Sequence, residues 1–413
     1  MSLIQQRGRR SPDVIVVGGG VTGTSIAWRL AESGRRVLLL EQRGICSGAS
    51  GRNGGMTGAG SSMHASARTG RAVYALTTAN LRAMQTLPEE IGTDFELRMT
   101  GSLDVITTPE QFAHLEHAVQ TERDAGIALE LVHRDAAREI MPALTPDILG
   151  AAYARDRGHL WPFALVTGMA DAAARTGAEI RTGVTVSRLE RIGDQVRGVV
   201  ASGEAIETGE VVLATNAWTP RLLPELPQGA IVPARGQVLV TQPLPPLLAC
   251  PFGTNFDKEY GRQTPGGHIL CGGFRRLDED EGLGTYREET TLPVLAGIAH
   301  CLTGLFPALR GTARVVRAWS GIMGFTADGL PLLGLYDALP GLTVAAGFNG
   351  GGFSWGVIVG RIIACLLNGE EPGFDLEPFR PTRFHDAAVT WANPFTAGEK
   401  NNPNTAHALA SIT

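Results

Sequence analysis

At 413 residues the chain is too long for one ordinary core, and with 43% apolar and 19% charged residues it reads as a two-domain globular protein. A net charge of −5 without a basic stripe excludes recruitment of nucleic acid by charge alone, and no apolar run nears the roughly 20 residues of a membrane span. The five cysteines, Cys46, Cys250, Cys271, Cys301 and Cys365, form no C-x-x-C pair, so neither a metal site nor a dithiol is expected.

Met1 to Arg10 is polar and reads as a loose tail. The apolar run Val14–Val17 behind it is shorter than the roughly 7–15 residues of a secretory signal, which points to a cytoplasmic protein. Residues 13–17 read as a buried parallel strand. Gly18-x-Gly20-x-x-Gly23 follows, then a helical period over 23–33 with Ile26, Ala27 and Leu30 on one face, closed by Gly34. Val37–Leu40 is a second strand, ended by Glu41 and Gln42. In such a βαβ unit the first glycine makes the tight turn, the second admits a pyrophosphate, and the third lets helix and strand pack closely. The helix N-terminus faces the phosphates, and Glu41 suits ribose hydroxyls. This is a dinucleotide site. The run from Ser47 to Gly60 then chooses between dinucleotides. It is too rich in glycine and serine to pack a core, but it can wrap backbone around a flat ring system, with Arg52 and Asn53 as polar contacts.

Farther along, residues 88–150 carry helical charge patterns. A helix over Leu165–Arg175, strands at Val184–Leu189, Val196–Val200, Val211–Ala214 and Leu342–Ala346, and a helix over Gly352–Leu367 read as further parts of one parallel-sheet domain. That domain comprises residues 12–87, 151–224 and 319–385. Strands at Gln237–Val240, His268–Gly272 and Ala313–Trp319 place 225–318, together with 88–150, in a second domain with an antiparallel sheet. Residues 386–413 read as a polar, loose tail.

Five stretches in this order resemble the D-amino acid oxidase superfamily of flavoproteins, which includes sarcosine oxidases, glycine oxidase, D-amino acid dehydrogenases and gamma-glutamylputrescine oxidase. They are Val14–Glu41; Gly48–Gly55; Ala214–Trp218 with Pro233–Gln237; Trp319–Gly334; and Gly347–Phe353. The resemblance implies an α/β fold: a glutathione-reductase-type Rossmann domain that binds FAD, and an α+β substrate domain with a mixed or antiparallel sheet. It implies FAD contacts at Gly18, Gly20, Gly23, Glu41, Gln42, Ser50, Arg52, Asn53, Gly54 and Gly55. Val186 would face the adenine, and Thr215, Asn216 and Trp218 would lie near the pyrophosphate. Gly350, Gly351, Gly352 and Phe353 would set a helix N-terminus against the flavin pyrimidine, where its dipole favours the reduced ring. The implied reaction passes the Cα hydrogen of a small amine or amino acid as hydride to flavin N5, and the imine then hydrolyses.

Three places depart from the pattern. Met323 stands where glycine oxidase-like members hold the arginine that clamps the substrate carboxylate. Arg262 or Arg52 would have to serve instead, or the substrate lacks a carboxylate there. Gly321 stands where monomeric sarcosine oxidases carry the cysteine of the covalent link, so the FAD is expected to be non-covalent. Cys271 falls where those enzymes use a lysine to activate oxygen, which leaves oxygen or another electron acceptor open. Tyr260 and Arg262 fall where the substrate sheet faces the flavin and are the expected substrate contacts. His268 reads as structural, as do Trp319 and Asp328, and His64 has no clear assignment. Two other readings remain: a tRNA-modifying relative, and a flavin-binding subunit that needs a partner chain. A homo-oligomer is also open.

Overall fold

The computed structural model describes residues 11–59, 67–124, 128–254, 259–386 and 388–391. The expected tail Met1–Arg10, Gly60, His64 and most of the expected C-terminal tail lie outside the described residues.

The run Val14–Val17 forms a strand with every residue buried, because it sits at the centre of a six-stranded sheet. Its neighbours are Val37–Glu41 on one side and Glu210–Leu213 on the other, both parallel to it. Glu179–Thr182 extends the sheet past Val37–Glu41, and Leu342–Ala346 extends it past Glu210–Leu213; an antiparallel strand, Leu332–Leu335, closes that edge. Strands buried on both faces favour apolar residues at nearly every position, and this accounts for the run Val-Ile-Val-Val and for Leu-Thr-Val-Ala-Ala, where Thr343 is the one polar side chain. The helix Val21–Glu32 buries Ile26, Ala27 and Leu30 completely. Ser33 caps it, and Gly34 follows at φ +85°. One face of the sheet packs on this helix, on Ala67–Ile91 and on Gly356–Leu367; the other packs under the hairpin that begins at Val186.

That hairpin departs from the sequence reading. Val186–Ile192, Gln195–Ala201 and Glu204–Glu207 form a separate antiparallel three-stranded sheet. Only Gly193 and Asp194 separate the first two strands. So short a link allows a hairpin but not the crossover that a parallel pair requires.

The second sheet has eight strands. Ile231–Pro243 lies between Val315–Thr326 and His268–Gly272; Tyr260–Gln263, Phe252–Gly253, Ser102–Ile106, Gly150–Ala154 and Leu129–His133 follow in order. All its pairings are antiparallel except Phe252–Gly253 with Ser102–Ile106, so the sheet is mixed. The helix Leu292–Leu305 covers one face of it. The divisions expected at 87–88 and 318–319 fall inside the helix Ala67–Ile91 and the strand Val315–Thr326, each of which runs unbroken across them. No helix among the described residues is long and apolar enough to cross a membrane.

Candidate active site

A cavity of about 740 Å³ runs between the two sheets. At one end the turn after Val17 forms a cradle. Gly18 has φ +111°, and a Cβ there would lie 2.6 Å from the carbonyl oxygen of Ala214. A Cβ on Gly23 would lie 1.9 Å from the carbonyl oxygen of Gly18. Only glycine permits this closeness. Gly23 is therefore beneath the cradle, holding helix to strand, while Gly18 and Gly20 line the cavity. Ser50 Oγ accepts the Val21 amide at 3.0 Å, which leaves its hydroxyl hydrogen for a phosphate. Glu41 also lines the cavity, with its carboxylate fixed by the amides of Gly19 and Arg43 at 2.7 and 2.8 Å. Gln42 and Val186 line the same end, and Thr215, Asn216 and Trp218 line the stretch beyond the glycines. The cradle and its acid fit a dinucleotide such as FAD.

The glycine-rich loop folds on itself through Asn53. Its Nδ2 donates to the carbonyls of Ala49 and Ser50 at 2.8 and 2.9 Å, and its Oδ1 accepts the Gly55 amide. Gly55, at φ +70°, is pressed against the carbonyl of Leu160 and lies outside the lining, whereas Gly54 lines the cavity beneath the ring of Tyr260.

The structure corrects the arginines. Arg52 does not line the cavity: its Nε donates to Ser47 O at 2.9 Å, and its Nη1 reaches Ser320 O and the Glu288 carboxylate at 3.1 and 2.7 Å. It clamps the loop to the strand carrying Gly321, and Gly321 faces Arg52 rather than the cavity. Arg262 is also committed. Its Nε donates to Gly54 O, its Nη2 to Leu160 O at 3.0 Å, and its Nη1 to Nδ1 of His159 at 3.1 Å. Burial pulls its pKa down to about 10, so it stays charged at neutral pH. Arg52 braces backbone and Glu288, and Arg262 braces backbone and His159. Cys271 also points away, into the core beneath Leu292–Leu305.

Tyr260 and Met323 do line the cavity. Burial raises the Tyr260 phenol, so it remains protonated and able to donate. Gly350, Gly351, Gly352 and Phe353 line the cavity opposite. The helix expected from Gly352 is broken there: Gly352–Ser354 is a single 3₁₀ turn, and the α-helix begins at Gly356. Asn80 takes the first donors of that helix. Its Oδ1 accepts the amides of Val357 and Ile358 at 3.0 and 3.1 Å, and its Nδ2 donates to Phe353 O at 2.9 Å. The dipole that was to face the flavin therefore starts farther back, and much of its first turn is already satisfied.

Several lining residues were not foreseen. Arg157 pairs with Asp104 at 2.9 Å across the far wall. Glu259, buried, accepts from Thr254 and from the Phe274 amide. Arg275 and Arg276 border the chamber, Arg275 beside Phe325 and Arg276 beside Phe274. The sequence signal for these was thin: two arginines directly after Gly-Gly-Phe at the end of a strand. No cysteine or histidine among the described residues lines the cavity. Burial pushes Cys46 and Cys250 up to about 12. Asp328 is bound by Arg383 at 2.8 and 2.9 Å, and the Trp319 indole donates to Arg52 O at 3.1 Å.

Comparison with known proteins agrees with this geometry. A family model described as FAD dependent oxidoreductase matches residues 13–366. Glycine oxidase of Geobacillus kaustophilus (strain HTA426) is 30% identical over 378 residues, 90% of this chain and 97% of that protein. The crystal structure of glycine oxidase from that species superposes with a TM-score of 0.82 at 28% identity, covering 90% of this chain and 98% of that one. Gamma-glutamylputrescine oxidoreductase of Escherichia coli (strain K12) is 29% identical, over 93% of this chain and 90% of that protein. With the family model matching residues 13–366 and a relative 30% identical along nearly the whole length, the chain belongs to the FAD-dependent oxidoreductase family.

Proposed function

We propose that the chain oxidises a C–N bond of a small amine or amino acid, using FAD held without a covalent link. The observation that carries this reading is the continuity of the cavity, which joins the dinucleotide cradle at Gly18, Gly20 and Glu41 to a chamber walled by Tyr260 and Met323. The FAD would lie along Gln42, Ser50, Asn53, Gly54, Val186, Thr215, Asn216, Trp218 and the segment Gly350–Phe353. When bound it supplies the two-electron acceptor that takes the Cα hydrogen as hydride, leaving an imine that water hydrolyses. The protein supplies position and dryness. Tyr260 donates a hydrogen bond to the substrate, and Met323 forms an apolar wall above the reacting carbon. The pinned loop Ser47–Gly55 keeps water from the face opposite the substrate. Gly321, standing where the covalent link of monomeric sarcosine oxidases needs a cysteine, supports the non-covalent assignment. Relatives named as acting on glycine and gamma-glutamylputrescine support a C–N donor.

The test is the visible spectrum of the purified protein, with a pool of amines and D- and L-amino acids added without oxygen. Flavin bands that bleach, and flavin released by mild acid, are the expected result. Bands that persist against the full pool would overturn the C–N assignment.

A further inference from the structure

We propose that residues 284–289 form a clasp across the dinucleotide cradle, and that FAD enters and leaves only when this clasp opens. The inference goes beyond the C–N oxidation reading but rests on its non-covalent FAD, and it assigns Tyr286 and Glu288 to retaining the cofactor.

Both feet of the segment stand on the strand Ile231–Pro243 of the second sheet. At one foot Leu283 is bridged to Ala234, and the Gly284 amide donates to Pro233 O at 2.9 Å. At the other the Thr291 amide donates to Gln237 Oε1 at 2.7 Å. Gly284 has φ +72°, with open space where a Cβ would stand, so the outgoing foot is a place where the backbone can turn.

Between its feet the segment grips loops of the first sheet at two places. Tyr286 donates its hydroxyl to Ala217 O at 2.8 Å, its ring lies 5.5 Å from that of Trp218, and the Arg221 guanidinium lies 3.7 Å from its ring centre. Two residues on, the Glu288 carboxylate pairs with Arg43 at 2.9 Å and with Arg52 at 2.7 Å. The first grip lies just after the strand Glu210–Leu213, and the second lies after Val37–Glu41. Between those two strands runs Val14–Val17, and the glycine turn opens at its end. The segment thus crosses the carboxyl edge of the sheet where the phosphates of a dinucleotide sit in such a fold. Trp218 and Arg221 line the cavity from one side and Arg43 from the other, so the clasp joins two walls of the cradle. Glu288, Arg43 and Arg52 keep 30%, 34% and 27% of their side chains exposed. Water and salt compete for both ion pairs, and the grip can release without unfolding either sheet.

A residue that merely touches bound FAD slows its exit alone, whereas a clasp obstructs exit and entry alike. Exit is measured on the holoenzyme as replacement of bound FAD by isotopically labelled FAD, and the dissociation constant as flavin release on dilution. Tyr286→Ala and Glu288→Gln should each speed exit about tenfold while the dissociation constant changes by less than about threefold, so that entry is faster too. Tyr286→Phe, which keeps the ring without the hydroxyl, should fall between Tyr286→Ala and wild type. Exit at the wild-type rate in both variants would overturn the proposal, as would a dissociation constant that rises in step with exit. If Tyr286→Ala does not fold or loses its flavin on purification, Glu288→Gln, which keeps the size of its side chain, decides on the same two quantities. Flavin that stays with the acid-denatured wild type would sink the non-covalent reading beneath the proposal, whereas exchange untouched by the variants sinks the clasp alone.

Discussion

His159 sits behind the glycine-rich loop and accepts a hydrogen bond from Arg262, so it must be neutral there. Burial, reinforced by Arg262 and Arg98, pulls its pKa down from 6.5 to about 4. In the unfolded chain the imidazole takes a proton near pH 6.5, while the folded protein refuses it until about pH 4. The stability this neutral ring contributes is thus complete above pH 6.5 and is lost as pH falls towards 4, at up to about 1.4 kcal/mol per pH unit. Denaturant unfolding of wild type and His159→Gln from pH 7 to 4.5 should show a shallower pH slope in the variant, by as much as one proton. Parallel slopes would refute the assignment. The same contacts show why side-chain roles were only half legible. Arg52 was visible in sequence within the flavin loop and Arg262 in the stretch expected to face the flavin, but which way each points is set by partners such as Ser320, Glu288 and Leu160, far away in the chain. Arg275 shared no motif, and only the loop excursion brings it to the chamber.

Among the elements, the strand–glycine–helix opening was legible almost residue by residue, because burial on both faces and the cradle constrain each position. The strands Leu342–Ala346 and His268–Gly272 fall where their apolar runs predict. The helix Ala67–Ile91 was not foreseen, and neither was its service to Gly356–Leu367. Asn80, fully buried in the middle of one helix, caps the other. A polar residue inside a helix reads locally as a weak helix former, and its purpose appears only with the neighbour in place. Asn80→Ala leaves the amides of Val357 and Ile358 without this acceptor and takes from the Phe353 carbonyl one of its two donors, the other being the Thr57 hydroxyl. This should cost about 2 kcal/mol and lower the melting temperature, with weaker flavin retention because Phe353 loses one of its two anchors. A variant that melts and holds flavin like wild type would show that the cap is dispensable.

On the scale of the whole molecule, the two sheets meet through small polar residues. Asn349 Oδ1 accepts the Thr326 amide at 2.9 Å and the Asn349 amide donates to Gly324 O at 3.0 Å, while Gly324 packs against Asn216, whose Oδ1 ties the end of its own strand to the amides of Gly347 and Phe348 at 2.9 and 3.2 Å. A ligand lying along this seam binds the folded state alone, so it must stabilise the fold by linkage. At a hundredfold excess over its dissociation constant the gain is about 2.7 kcal/mol. Flavin-stripped protein should melt lower than holoenzyme, recover with added FAD, and gain less from riboflavin, which lacks the half that the Gly18–Glu41 cradle receives. Equal melting with and without FAD would contradict the placement. The two-sheet plan was readable from the alternation of glycine-punctuated and proline-rich stretches, but the seam was not, since it packs Gly324 against Asn216, far apart in the chain. The central sheet carries a consequence for biosynthesis. The strand Val14–Val17 emerges from the ribosome early, yet one flank waits for Glu210–Leu213, and that strand waits in turn for Leu342–Ala346. Until most of the message has been translated, the nascent chain carries apolar edges with no partner, the condition that invites mispairing and chaperone capture. A transcript cut short before codon 342 should therefore yield aggregates rather than a smaller folded product.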